Sequence, residues 1–245
     1  MADKTEILDK NIPLVAEEVK AFNFKNFLDK NGKKIIAGVI GFAIGVAAFY
    51  SYKSFVTIPK IEKANVAVFP IESFFDKMAQ AGFNKDSIAI AINGGVVDSI
   101  KVEGLINIVK KHSGTPAGNR AEYMLGACYL HNKEFDKAIV HLKEFNANGA
   151  YQIEIKKHMM LGHANAELKK TDEALSEYKK AANVNTKDEP FTTDALITAA
   201  SYAQSLGKTK EAVELYENIK NNFPASQLVQ SGDVDKYLAQ LGITK

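Results

Sequence analysis

Three stretches decide the fold: AEYMLGACYLHNKEFDKAIVHLKEF (121–145), HMMLGHANAELKKTDEALSEYKKA (158–181) and ALITAASYAQSLGKTKEAVELYENI (195–219). Each reads as a helix, a short polar break and a second helix. The alanine near the start of each second helix falls at Ala138, Ala174 and Ala212, giving periods of 36 and 38. A large residue follows four positions later: Leu142, Tyr178 and Tyr216. Twelve positions before the alanines stand Gly126, Gly162 and Ala200. A small residue lets two helix backbones cross closely, and a large one fills the adjoining gap. Self-similarity at this period is the mark of stacked helix pairs. The expected fold class is all-α, with an α-solenoid as its soluble part. Thr171 and Thr209 are expected helix N-caps, with acids after them to suit the first turn.

The spacing resembles the tetratricopeptide repeat, a helix pair of 34 residues. The resemblance covers roughly residues 117–224. It departs from the family in length, and in lacking tryptophan altogether. Asn222-Phe223-Pro224 resembles the end of such a repeat, and residues 234–241 read as a short closing helix. The last domain is therefore set at 117–245.

In that family the first helix of each pair lines a concave face. Carried over position by position, the resemblance implies a partner-binding groove. The first pair gives it Arg120, Tyr123, Ala127 and His131, the second Lys156, Met159, His163 and Glu167, and the third Asp194, Ile197, Ser201 and Gln204. Aromatic, methionine and polar groups mixed in this way suit contact with a protein segment. A carboxylate clamp of the kind found in chaperone-binding relatives is not expected. Tyr123 and Ala127 stand where that clamp needs lysine and asparagine.

Upstream, residues 61–80, 86–92 and 96–112 are helical candidates within a linking region and degenerate repeat set at 55–116. Pro70 is expected to break or kink the first, and Asn93-Gly94-Gly95 is a stop signal. No long alternating strand pattern occurs, and residues 66–69 are too short to argue for a sheet.

Residues 35–52, IIAGVIGFAIGVAAFYSY, carry no charge. As a helix they span roughly 27 Å, close to the hydrocarbon core of a bilayer. Tyr50 and Tyr52 sit where an interfacial aromatic belt would lie. Lysines bracket the run, which is apolar on every face. A single transmembrane helix at 34–54 is therefore preferred to a buried core helix. Gly45-Val46-Ala47 resembles a cleavage site. However, the long region before it carries six acids and does not look like the basic start of a signal peptide, which favours an uncleaved anchor. Lys20, Lys25, Lys30, Lys33 and Lys34 lie just before the span, against Lys53, Lys60 and Lys63 after it. This bias puts the N-terminus in the cytoplasm and the repeats across the membrane. Ala37, Gly41, Gly45 and Ala48 form a small-residue stripe that would let another transmembrane helix pack closely. Within the cytoplasmic segment 1–33, residues 14–28 are compatible with a short amphipathic helix. That helix could lie on the membrane, dock on a partner or simply be solvated.

The order of these parts adds a second resemblance. An amphipathic segment, an Asn-Gly-Lys turn, a glycine-rich span (27–46) and helical repeats are similar to YfgM-like proteins. The stretches 83–94 and 223–241 look like the Bacteroidetes branch of that family. Such proteins are single-span ancillary subunits of the bacterial Sec translocon. The resemblance implies an inner-membrane location with the repeat domain in the periplasm. It also implies two partners: the Sec channel, at the small-residue stripe, and a membrane-anchored periplasmic chaperone of the prolyl-isomerase type, at the repeats.

Composition narrows the rest. The chain has 245 residues, 46% apolar, with 31 basic and 29 acidic side chains. Residues 1–53 hold eight lysines and six acids, so 54–245 hold 23 of each sign. A neutral domain whose one arginine is Arg120 is a poor nucleic-acid reader, and none is expected as partner. Phosphate-loop, nucleophile-elbow and zinc-protease motifs are all missing, as are paired cysteines. His158 and His163 are five apart and do not share a helix face for a metal. Cys128, between Ala127 and Tyr129, reads as packing rather than as a nucleophile. No enzyme, cofactor, metal site or small-molecule substrate is expected. The leading expectation is a membrane-tethered scaffold that assists proteins leaving the Sec channel. The alternative is a structural coordinator of envelope assembly, acting through self- or hetero-association of the repeats.

Overall fold

The computed structural model describes residues 24–243, with side chains from residue 29 onward. The described residues fall into two compact units, divided between Phe55 and Val56.

In the first unit, α1 runs Phe24–Tyr52. It is long and apolar enough to cross a membrane, and none of its apolar window is buried in protein. Of the expected amphipathic segment 14–28, residues 14–23 lie outside the described residues. A π-helical turn, Lys53–Thr57, follows α1.

The second unit begins with α2 (Ile58–Ala81), α3 (Lys85–Asn93), a β-hairpin and α4 (Leu105–His112). Three helix pairs follow: α5 (Pro116–His131) with α6 (Phe135–Glu144), α7 (Tyr151–Glu167) with α8 (Thr171–Asn183), and α9 (Glu189–Ser205) with α10 (Thr209–Asn222). Two short helices close the array, α11 (Gln227–Gln230) and α12 (Asp233–Gln240). Val234 and Leu238 of α12 are buried among residues of α10, which covers the last pair. Each first helix packs on its own second helix and on the first helices beside it: α2 on α5, α5 on α7 and α7 on α9. This is the all-α solenoid read from the periods.

The small–large pairs sit where the spacing puts them. A methyl added to Gly126 would lie 2.7 Å from Leu142 Cγ, and one added to Gly162 would lie 2.5 Å from Tyr178 Cδ1. Leu142, Tyr178 and Tyr216 are all buried. The break between the helices of a pair needs one residue with positive φ. Lys133 (63°), Lys169 (61°) and Gly207 (71°) hold that place in the three pairs.

Three expectations are corrected. Residues 96–112 are not one helix: Gly94–Val97 (β1) and Ile100–Glu103 (β2) form an antiparallel hairpin before α4. Its two-residue turn, Asp98-Ser99, has φ of 49° and 66°, the sign that matches strand twist. Val96, Val97, Ile100 and Val102 favour strand, and the buried Val102 anchors it in the core. Second, of the break or kink expected at Pro70, the break does not occur, because α2 runs through it from Ile58 to Ala81. Ala64, Val68 and Ile71 bury the face around it, and that packing outweighs the one hydrogen bond that proline removes. Third, Thr171 and Thr209 are the first residues of α8 and α10, whose caps are Lys170 and Lys208, with no side-chain cap bond. Those two lysines reach back instead to the preceding pair, Lys170 to Asp136 (3.5 Å) and Lys208 to Asp172 (2.6 Å).

Candidate functional site: a groove on the first-helix side

The largest concavity among those described, about 690 Å³, lies between α2, α5, the 145–150 loop and the start of α7. Its walls carry Phe69 and Phe75 from α2, Tyr123 and Met124 from α5, Phe145 from the loop and Ile153 from α7. Phe69 is 70% exposed, which is costly for an aromatic unless something covers it.

Local chemistry fixes each wall. Pro116 starts α5, where its missing N–H costs nothing. The buried Thr115 hydroxyl accepts from Gly118 N (3.1 Å) and donates to His112 O (2.7 Å). Arg120 grips Glu72 through Nε to Oε1 (2.5 Å) and Nη2 to Oε2 (3.4 Å), which ties α5 to α2. The loop is held by Asn119, which donates to Asn146 O and accepts from Asn146 N, both at 2.8 Å. Asn148 N donates in turn to Asn146 Oδ1 at 2.8 Å. Tyr123 and Phe145 pack at 5.1 Å between ring centroids. Burial raises the Tyr123 hydroxyl pKa, so it stays a neutral phenol.

The twelve expected groove residues divide. Arg120 and Tyr123 line this cavity. Ala127 is 4% exposed and belongs to the core, so it offers no side chain to a partner. His131 stacks on Phe83 at 3.9 Å, away from the cavity lining. Burial lowers its pKa.

The other eight lie along α7 and α9. His163 Nδ1 meets the Tyr178 hydroxyl at 2.9 Å. Burial lowers the His163 pKa, opposed by the fields of Asp194 and Glu167. The Tyr216 hydroxyl meets Ser201 Oγ (3.2 Å) and donates to Gln204 Oε1 (3.0 Å). In both pairs the tyrosine that fills the helix crossing thus ends its hydroxyl among the expected groove positions. Lys156 Nζ lies over the Phe191 ring at 5.9 Å, Glu167 and Asp194 are exposed, and Met159 and Ile197 are half-buried.

On α1, Ala37, Gly41, Gly45 and Ala48 are exposed, and a methyl added at Gly41 or Gly45 would meet no atom. Cys128 is fully buried, and desolvation pushes its thiol up to about 12. His158 is also accounted for, its Nδ1 lying 2.6 Å from Glu177 Oε2.

Phe69, Glu72, Phe75 and the 145–150 loop were not among the expected site residues. One signal could have found the first. On α2, Val66 and Phe69 fall opposite the buried Ala64, Val68 and Ile71, an excess of apolar surface on a face that should be polar.

Two family models, each described as a tetratricopeptide repeat, match residues 158–188 and 195–226. These are the second and third helix pairs. No curated protein and no solved structure matches the chain.

Proposed function

From the premise that this is a tetratricopeptide-repeat protein, a scaffold for protein–protein contact, we propose that it works as a membrane-anchored capture device. The aromatic-walled groove between α2, α5 and α7 carries the reading: about 690 Å³ of apolar concavity with an exposed phenylalanine at its edge suits a protein segment. In this reading the contact surface extends beyond the cavity along α7 and α9, to Lys156, Met159, His163, Glu167, Asp194, Ile197, Ser201 and Gln204.

In this proposal α1 spans the bacterial inner membrane once, N-terminus inside, and the repeats stand in the periplasm. Ala37, Gly41, Gly45 and Ala48 pack against a helix of the Sec channel. The repeats hold a membrane-anchored chaperone of the prolyl-isomerase type near the channel exit, where both assist emerging proteins. Confinement to one bilayer would raise the effective concentration of these partners without new chemistry. The resemblance of 27–46, 83–94 and 223–241 to YfgM-like proteins supports the choice of partners, and the full exposure of an apolar helix supports the anchor.

Purification from membranes in mild detergent, followed by cross-linking, tests it. Recovery of channel and chaperone peptides is expected. Recovery of neither, with cross-links only to further copies or to cell-wall machinery, would favour an envelope-assembly coordinator instead.

A further inference from the structure

The second unit is electrically balanced, with 23 acids and 23 bases across residues 54–245. The cavity walls are not. Among the cavity walls stand Glu72, Asp76 and Arg120. Arg120 is the single base, and Glu72 neutralises it in a two-point pair. Asp76 is exposed and has no ion-pair partner among the described residues, so the cavity keeps an uncompensated negative charge beside Phe69 and Tyr123. Further along the same helices, Glu167 and Asp194 are both exposed, against Lys156 alone. Four acids thus stand against two bases among the cavity walls and the expected groove positions. The loop polar groups are spent on one another through Asn119, Asn146 and Asn148, so they offer little hydrogen-bonding specificity.

Resting on the binding role proposed above, we infer that the groove takes extended protein segments that combine a large apolar side chain with lysine or arginine. The apolar group enters between Phe69, Tyr123 and Phe145. The cation sits over an aromatic face within reach of Asp76, where ring quadrupole and carboxylate attract it together. A segment rich in acids would set its charges against Asp76 and then Asp194 and Glu167, and is disfavoured.

The test uses the full chain in detergent micelles and two fluorescent peptides with the same phenylalanines and leucines, one carrying lysines and the other glutamates. Fluorescence anisotropy at low salt should give the lysine peptide about fivefold tighter binding, the factor that about 1 kcal/mol of cation–π and Coulomb contact supplies. The gap should shrink as salt is raised. Phe69→Ser, at an exposed position, should weaken both peptides, and Asp76→Lys should erase or reverse the preference while leaving the circular dichroism unchanged. Equal affinities, a preference for the glutamate peptide, binding of neither, or indifference to both substitutions would overturn the inference. Partners recovered from membranes without any charge preference in the peptides would sink this inference alone and leave the capture role standing.

Discussion

The helix pairs from α5 to α10 and the segment from α2 to α4 solve the same packing problem in different ways. The pairs repeat one solution. Gly126 admits Leu142, and Gly162 admits Tyr178. The α2–α4 segment uses one-off devices: a helix that runs through Pro70, a hairpin turned at Asp98-Ser99, and Gly104, whose added methyl would strike the backbone of Asn93 and Gly94. The pairs teach that periodicity supplies a scaffold. The unrepeated segment teaches what the repeat alone does not build, because α2 gives the concavity walls that the pairs do not supply.

The largest expected effects would break the repeated solution. Leu125→Ala, at a fully buried site in the first pair, should cost about 3 kcal/mol in chemical denaturation, from lost burial and a cavity. Gly162→Val should cost a similar amount, about 2–3 kcal/mol, because the Tyr178 ring occupies the space. Ala200, buried at the matching place in the third pair, should accept Gly at a cost of only about 1 kcal/mol. If Gly162→Val and Ala200→Gly cost the same, the crossings are not equivalent in the way described.

A smaller effect sits at the junction between the two regions. Thr115→Val removes both the cap bond to Gly118 and the bond to His112, and should lower stability by about 1–2 kcal/mol. Smaller still, and of opposite sign, is the turn inside each pair. Lys133→Gly and Lys169→Gly relieve a left-handed backbone and should each raise the denaturation midpoint by about 1 kcal/mol equivalent, whereas Gly207→Ala should lower it. Acid should also act unevenly. Burial pushes the Glu177 carboxyl up, but hydrogen bonds with His158 and Lys180 outweigh this and hold it below its ordinary 4.5. Its contribution is therefore present above pH 4.5 and fades as the pH falls through the lowered value. Glu177→Gln should flatten that acid limb in melting temperature against pH.

Much of the scaffold was legible because its code is local. The alanines at 138, 174 and 212, with the glycines at 126 and 162, fix how each pair crosses. The hairpin was hidden because Asp98-Ser99 is a weak turn signal and β1 and β2 are four residues each. The continuity of α2 past Pro70 was hidden because it depends on the burial of Val68 and Ile71, which local sequence does not display. Of the groove, Arg120 and Tyr123 were legible through their place in the repeat. Phe69 and Phe75 were not, since their meaning depends on α2 packing beside α5, a contact between residues about fifty apart in sequence.

The most direct measurement is site-specific photo-cross-linking in native membranes, with the probe placed at Phe69 or, for comparison, at the exposed Val140 on α6 outside the groove. The account predicts cross-links to other polypeptides from position 69 and few from 140. Equal labelling from both positions, or none from 69, would contradict it.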